Sequence, residues 1–531
     1  MNTLGPLRRR HPAESSQASH PTPGGEAMRS RLSRSLVVLG LVAVPLAAQE
    51  PSPGERLPVV KHVLSNGMTF LFLRREGAPT VSFVTQFRAG GVDEWTGISG
   101  TAHLFEHMLF KGTPTLGTRD YGAEQRMFPR IDAAADSLTQ EFRKGALADS
   151  AQLRRLRDRL RQLEDSARQF VESNEFWRVL TRNGAQRINA STFNDGTNYF
   201  FSLPSNRTEL WFVLEADRIR NPVLREFYSE RDVVMEERRR SVETQPFGML
   251  REEFLQAAFR AHPYNRPVVG VASEIQTVSR PQALEYYRRY YAPNNSVVAI
   301  VGDVDTTQMK QWADRYFGDL PAGEPHRPVV TQEPPQRGER RIDVEFNANP
   351  TVMIGYHIPS AMHPDARPLV VLSSILTGSR TSRLQQRLIV RERVAANIFS
   401  TLQPGQRYPR LFVFQAVPIA PHTTQEIESA VYEELERIQR EPPSDYEIQR
   451  VRNQIEAATI GRIENAFSLA LQLASSEALY NDWHQSFRFD RANLDVTPAD
   501  VQRVARTYFS KNNRTVATLV RPARPAAGGA N

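Results

Sequence analysis

The chain has 531 residues, 40% of them hydrophobic and 24% charged, with a formal net charge of +8 and no cysteine. Its length exceeds one ordinary domain and its composition is globular, so several packed domains are expected. The lack of cysteine excludes disulfides and thiolate sites, leaving histidine and carboxylates as metal ligands, and no basic block with interleaved aromatics points to nucleic acid.

The N-terminal segment reads as an address. Met28, Arg29, Arg31 and Arg34 form a basic start, the run Leu36 to Leu46 is apolar, and Ala47-Ala48-Gln49 supplies small residues for cleavage. This is the layout of a signal peptide over 28–48, and its apolar run is short for a membrane span. Residues 1–27 read as an over-extended start or a disordered leader. The expected location is periplasmic or secreted, with no stable span after cleavage; an uncleaved signal acting as an anchor is the alternative.

After a linker at 49–57, Val59 to Leu73 predicts two strands around the turn Ser65-Asn66-Gly67, and Thr80 to Ala89 alternates like a half-buried strand. A glycine loop then carries Asp93, Glu94 and Trp95 into Gly100-Thr101-Ala102-His103-Leu104-Phe105-Glu106-His107. On a helix, positions i and i+4 share a face and i+3 lies beside them, so His103 and His107 point at one place with Glu106 adjacent. Two imidazoles and one further carboxylate make a three-ligand zinc site with an open position, and the neighbouring glutamate is a candidate proton acceptor. The order H-x-x-E-H is the inverted zincin pattern. An ordinary helical histidine pair is the alternative, and the rest of the chain must decide.

From Ala133 to Leu180 the pattern becomes helical: Leu153, Leu156, Leu160, Leu163, Ala167 and Phe170 step by three and four among charges. A folded-back helical hairpin is expected, serving as a solvated arm that props the structure rather than as a partner-binding coiled coil. Ile188 to Leu203 returns to strand character, Thr208 to Asn221 and Glu226 to Thr244 are helical, and Ser296 to Val301 is a closing strand. Pro321 to Arg341 is a proline-rich linker.

Beyond it the pattern restarts. QALEYYRRYYAPNNSVVAIV, from Gln282, matches DVQRVARTYFSKNNRTVATL, from Asp500, without gaps at an offset of 218. Pro79-Thr80-Val81 matches Pro350-Thr351-Val352 at an offset of 271, so the first copy carries 53 extra residues, placed in the charged helical segment. The chain is therefore two tandem copies of one α+β unit, with the histidine pair in the first only. The expected domains are 58–320, with a helical insert at about 125–182, a linker at 321–341, a second domain at 342–522 and a tail at 523–531.

Together, HLFEHMLFKGT (His103 to Thr113) and ERDVVMEE (Glu230 to Glu237) resemble the pitrilysin/insulinase family of zinc metallopeptidases, in particular its mitochondrial-processing-peptidase-like bacterial branch. The resemblance covers nearly all of Leu57 to Val520. It implies two α/β-sandwich domains of the processing-peptidase-like metallohydrolase type and one Zn²⁺ per chain. His103, His107 and Glu237 would be ligands, Glu106 the catalytic base and Glu230 the supporting glutamate. Glu230 and Glu237 lie two turns apart on one helix face, whereas Glu236 is rotated about 100° away. Asn189, Ala190 and Thr192 resemble the family's edge strand, which pairs with bound peptide; an Asn in a strand-entry turn is the alternative for Asn189.

The family's substrate-clamping Arg and Tyr fall here on Ile389 and Ala396. The chain therefore resembles the zinc-bearing half of a pair, and the resemblance implies a homologous Arg/Tyr-bearing partner subunit, or a homodimer, around a peptide substrate. The function implied is zinc-dependent endopeptidase activity on peptides or unfolded segments. The competing reading is a non-catalytic scaffold or assembly subunit of the same fold.

Overall fold

A computed structural model describes residues 54–522. The leader, the signal segment and the tail expected from sequence lie outside the described residues.

Among the described residues, eleven strands form two sheets, and the inner strands are buried on both faces. The first sheet contains β1 (Val60–Val63), β2 (Thr69–Arg74), β3 (Thr80–Phe87), β4 (Gln186–Phe193), β5 (Gly196–Pro204) and β6 (Ser296–Gly302), in the order β1-β2-β6-β3-β5-β4. The second contains β7 (Arg340–Glu345), β8 (Thr351–Ile358), β9 (Ala395–Gln403), β10 (Arg410–Pro418) and β11 (Arg514–Val520), in the order β7-β11-β8-β10-β9. Without β1 the two orders are the same. β2 pairs parallel with β6 as β7 does with β11, and every other contact is antiparallel.

The internal repeat is thus visible strand by strand. β2 and β3 map onto β7 and β8 at an offset of 271, β5 maps onto β10 at 214, and β6 maps onto β11 at 218. The excess of the first copy enters between β3 and β5. Four helices stand there: α1 (Thr101–Met108), α2 (Tyr121–Phe142), α3 (Ser150–Arg168) and α4 (Glu175–Arg182). The next three helices are α5 (Thr208–Arg220), α6 (Phe227–Arg238) and α7 (Pro246–Ala258).

The helical hairpin α2–α3 is not a solvated arm. Leu160, Leu163 and Ala167 are buried in the same core as Phe105, Trp211 and Val234, so the leucine stripe faces the body and the charges face water. Polar contacts tie the hairpin to α6 and its approach. Tyr228 Oη donates to Asp132 at 3.0 Å, Ser229 Oγ to Glu164 at 3.0 Å, and Arg225 pairs with Glu124 at 2.9 Å.

Each sheet is covered on its second face by a helix from the other copy. Leu469, Leu473 and Ala474 of the helix Ala466–Tyr480 pack on Leu71, Val84, Val297 and Val301 of the first sheet. In return, Leu250, Phe254, Leu255 and Ala258 of α7 pack on Met353, Leu411, Val413 and Leu519 of the second. Gly355 lets α7 sit that close, because a Cβ there would lie 2.4 Å from Phe254 Cζ. Each fully buried leucine in these exchanged faces contributes roughly 2 kcal/mol of apolar burial, so the two copies cannot separate without exposing both faces.

The proline-rich stretch 321–339 has no helix or strand but is pinned along its length. His326 Nε2 lies 2.8 Å from Asp93, Val329 N–H donates to Tyr408 Oη, and the Glu333 carboxylate accepts the N–H groups of Arg260 and Ala261. Among the described residues no helix is long and apolar enough to cross a membrane.

Candidate metal centre

The short helix α1 is fixed at its head, its back and its tail. Its N-cap, Gly100, has φ 88°, and a Cβ there would lie 2.7 Å from the Val269 carbonyl oxygen, so glycine is required. The Glu94 carboxylate accepts the N–H of Gly100 at 2.9 Å and of Ala102 at 2.7 Å. One side chain thereby satisfies two donors that a helix start leaves without partners. Burial pushes the Glu94 carboxyl up to about 8, against the pull of those two N–H groups. Behind the helix, Phe105 is buried and its carbonyl accepts a hydrogen bond from Tyr199 Oη of β5 at 2.8 Å.

With α1 so placed, His103 and His107 face α6. His103 Nε2 is 3.6 Å from Glu237 Oε1, and His107 Nε2 is 3.5 Å from Glu237 Oε2. One ligand atom from each of the three residues lies within 4.8 Å of the others. Ligands about 2.0–2.1 Å from a tetrahedral zinc ion stand roughly 3.4 Å apart, so the two measured separations fit such an ion with little movement. Two imidazoles and a carboxylate are also the donor set of an open zinc site. Glu106 Oε2 lies 4.0 Å from His103 Nε2, beside the trio but outside it.

Glu230 occupies the next position back. Its Oε2 is 3.5 Å from His107 Nδ1, the nitrogen turned away from Glu237. Glu236 is not in the group: it is bound to Arg239 and Arg240 at 2.7 and 2.8 Å on the outer side of α6.

The electrostatics suit a cation. Burial disfavours the charged form of His107, but Glu230 and Glu237 outweigh it and lift its pKa to about 9. Burial likewise lowers His103. Hydrogen bonding with His107 holds Glu237 below the usual carboxylate range, and for Glu230 the contacts with His107 and Lys111 overcome burial in the same direction.

β4 is the outermost strand of its sheet and packs beside α1, and among the described residues no strand pairs with its outer edge. Asn189 is exposed, and its Oδ1 accepts the N–H of Ala190 at 2.9 Å. Its side chain therefore serves its own strand. Ala190 is buried, and Thr192 meets Thr197 of β5 at 3.4 Å. In the second copy, Ile389 packs against the apolar core and Ala396 is exposed on β9, so neither position presents an Arg or Tyr.

Three residues to which the sequence assigns no role stand around His103, His107 and Glu237. Glu94 caps α1, Lys111 contacts Glu230 at 2.6 Å, and buried Arg225 gathers the carbonyls of Lys111, Thr113 and Leu116 at 2.6 to 2.8 Å. For Lys111 a signal was present, because it follows His107 by four residues and so falls on the same face of a continuing turn.

Comparison with known proteins agrees with this architecture. Residues 166–271 match the insulinase family (peptidase family M16), and residues 277–455 match the peptidase M16 inactive domain. The first match contains Glu230 and Glu237 but begins after the His103 helix. The zinc protease PqqE of Helicobacter pylori is 25% identical over 494 residues, covering 91% of this chain and 98% of that protein. An uncharacterised zinc protease of Mycobacterium tuberculosis is 26% identical over 434 residues, covering 80% and 84%. Among solved structures, a protease from Helicobacter pylori superimposes with a TM-score of 0.73 at 24% identity, covering 87% of this chain and all of that one. The first half of the periplasmic protease PqqL from Escherichia coli gives 0.62 at 18% identity, covering 89% and 93%.

Proposed function

The chain belongs to the insulinase (M16) peptidase family, and from that premise we propose that it is a zinc-dependent endopeptidase of the periplasm or cell exterior, acting on peptides or unfolded segments. The observation that carries the reading is the convergence of His103, His107 and Glu237 on one point, with Glu106 beside it.

These three residues would hold one Zn²⁺. The ion supplies Lewis acidity, which makes a water acidic near neutral pH and polarises a peptide carbonyl. Glu106 takes the proton from the attacking water and delivers it to the leaving amine, so it works as base and then as acid. Glu230 Oε2 stands 3.5 Å from His107 Nδ1 and so would leave Nε2 as the ligating nitrogen. The free edge of β4 would take the substrate as an added strand, Asn189 to Thr192 offering main-chain hydrogen bonds with little demand on side-chain identity. That mode suits an extended, unfolded polypeptide.

Nothing at Ile389 or Ala396 grips a substrate carbonyl, so the grip is assigned to a homologous partner subunit bearing the Arg/Tyr pair. Export rests on the layout from Met28 to Gln49 and is in keeping with the periplasmic relative. The scaffold reading is disfavoured because every position of the metal group is intact.

The test is zinc content together with hydrolysis of an unfolded peptide, measured with and without a partner chain carrying the Arg/Tyr pair. One zinc per chain and chelator-sensitive cleavage is the expected result. Zinc-free protein, or cleavage indifferent to chelation, would reject the proposal.

A further inference from the structure

Lys111 lies just beyond the end of α1, where the chain keeps turning: its N–H donates to the Met108 carbonyl at 3.0 Å. Its ammonium stands between two carboxylates of α6 and its approach, 2.6 Å from Glu230 Oε1 and 3.0 Å from Glu226 Oε2. The other oxygen of Glu230 faces His107 Nδ1 at 3.5 Å. The other oxygen of Glu226 faces Arg168 Nε of α3 at 3.4 Å. The Lys111 main chain is held as well, its carbonyl accepting from Arg225 at 2.6 Å.

A glutamate on a helix surface has three side-chain torsions and no preferred aim. Glu230 is aimed because each oxygen has a cationic or imidazole partner, and the ammonium is the shorter contact. Without that cation, Glu226 and Glu230 would face each other as like charges, and Glu230 would turn away from His107. The orientation of a ligating imidazole depends on the partner of its second nitrogen.

We propose that Lys111 is a positioning residue for the metal centre: it holds the Glu230 carboxylate against His107 so that His107 presents Nε2 toward Glu237. The helical insertion, through Arg168 and Glu226, sets where that ammonium sits. A line of contacts, Arg168–Glu226–Lys111–Glu230–His107, thus runs from the insertion to the site. The proposal rests on the zinc-site reading above.

The test is the zinc dissociation constant of the full chain, by competition with a chromophoric chelator. Lys111→Met weakens zinc binding by about 10–100-fold, the range of partners that orient a metal's ligands. Lys111→Arg keeps a cation that bridges both carboxylates and stays within about threefold of the wild type. Glu230→Gln loses as much as Lys111→Met, and the double variant loses no more than Glu230→Gln alone, since both act through one contact. The melting temperature of the metal-free protein is unchanged in the variants that report. If Lys111→Met lowers it, Lys111→Gln carries the same expectation.

Zinc affinity within about threefold of the wild type in a folded, charge-free Lys111 variant would overturn the proposal while leaving the zinc site standing. Additive losses, or no rescue by arginine, would overturn it too. A wild-type chain that binds no zinc would reject the metal reading itself and Lys111's role with it.

Discussion

Arg225→Met should cost more than any surface change near the metal. Arg225 and Glu124 are each 1% exposed, with Arg225 Nε 2.9 Å from Glu124 Oε1 and Nη2 3.3 Å from Oε2. The same guanidinium donates to the carbonyls of Lys111, Leu116 and Thr113 at 2.6, 2.8 and 2.8 Å, fixing the turn that follows α1. Removing one member of a buried ion pair strands the other charge and costs about 3–5 kcal/mol, and three stranded carbonyls push the loss toward the upper figure. Pairing Arg225→Met with Glu124→Leu removes the stranded carboxylate, so the double variant should recover about 2–3 kcal/mol relative to the sum of the singles. Urea unfolding of the metal-free protein, followed by circular dichroism, gives all three values. A loss under about 1 kcal/mol for Arg225→Met, or strict additivity, would refute the reasoning.

Other consequences are open to direct measurement. Leu163→Ala opens a cavity between α3 and the main core and should cost about 2–5 kcal/mol; a neutral result would mean that the hairpin is loosely attached after all. Burial lowers the pKa of His262 to about 4, with Glu333 opposing, while its ordinary value is near 6.5. Between those values the unfolded chain takes up the proton first, so this histidine's contribution to stability is complete above pH 6.5 and is lost as the pH falls toward 4. His262→Gln should flatten the fall of the melting temperature in that window, and an unchanged slope would count against it. N-methylating the substrate backbone at alternate positions should abolish cleavage in one register and spare it in the other if peptide adds to β4; indifference in both registers would remove that binding mode.

What the sequence disclosed and what it hid divide along physical lines. Strand alternation and the gapless repeats located β3 with β8 and β6 with β11 because those signals are local and each copy independently preserves its pattern. The convergence of His103, His107 and Glu237 is legible for the same reason, since i, i+4 histidines on α1 and glutamates two turns apart on α6 are fixed by helix geometry. The exchange of α7 and the helix Ala466–Tyr480 between the two sheets was not legible. An apolar helix face announces that it will be buried, but not against which sheet. The leucine stripe from Leu153 to Ala167 is a similar case: its spacing is legible, but the residues that bury it, Phe105, Trp211 and Val234, lie more than forty residues away along the chain. Glu94 and Arg225 look like surface charges in sequence, and only the fold shows that they are surrounded by backbone N–H groups, carbonyls and a carboxylate; Lys111 is placed by its spacing from His107, but its carboxylate partners are not.

Glu106 is the residue that separates a metal site from a working peptidase. Glu106→Gln keeps the shape of the side chain and leaves His103, His107 and Glu237 untouched, but it removes the proton acceptor. Zinc content and hydrolysis of an unfolded peptide should be measured on wild type and variant together, each with the partner chain if the wild type requires one. Unchanged zinc content and a fall in kcat of about 10²–10⁴-fold are expected. Undiminished turnover by the zinc-loaded variant would contradict that role for Glu106.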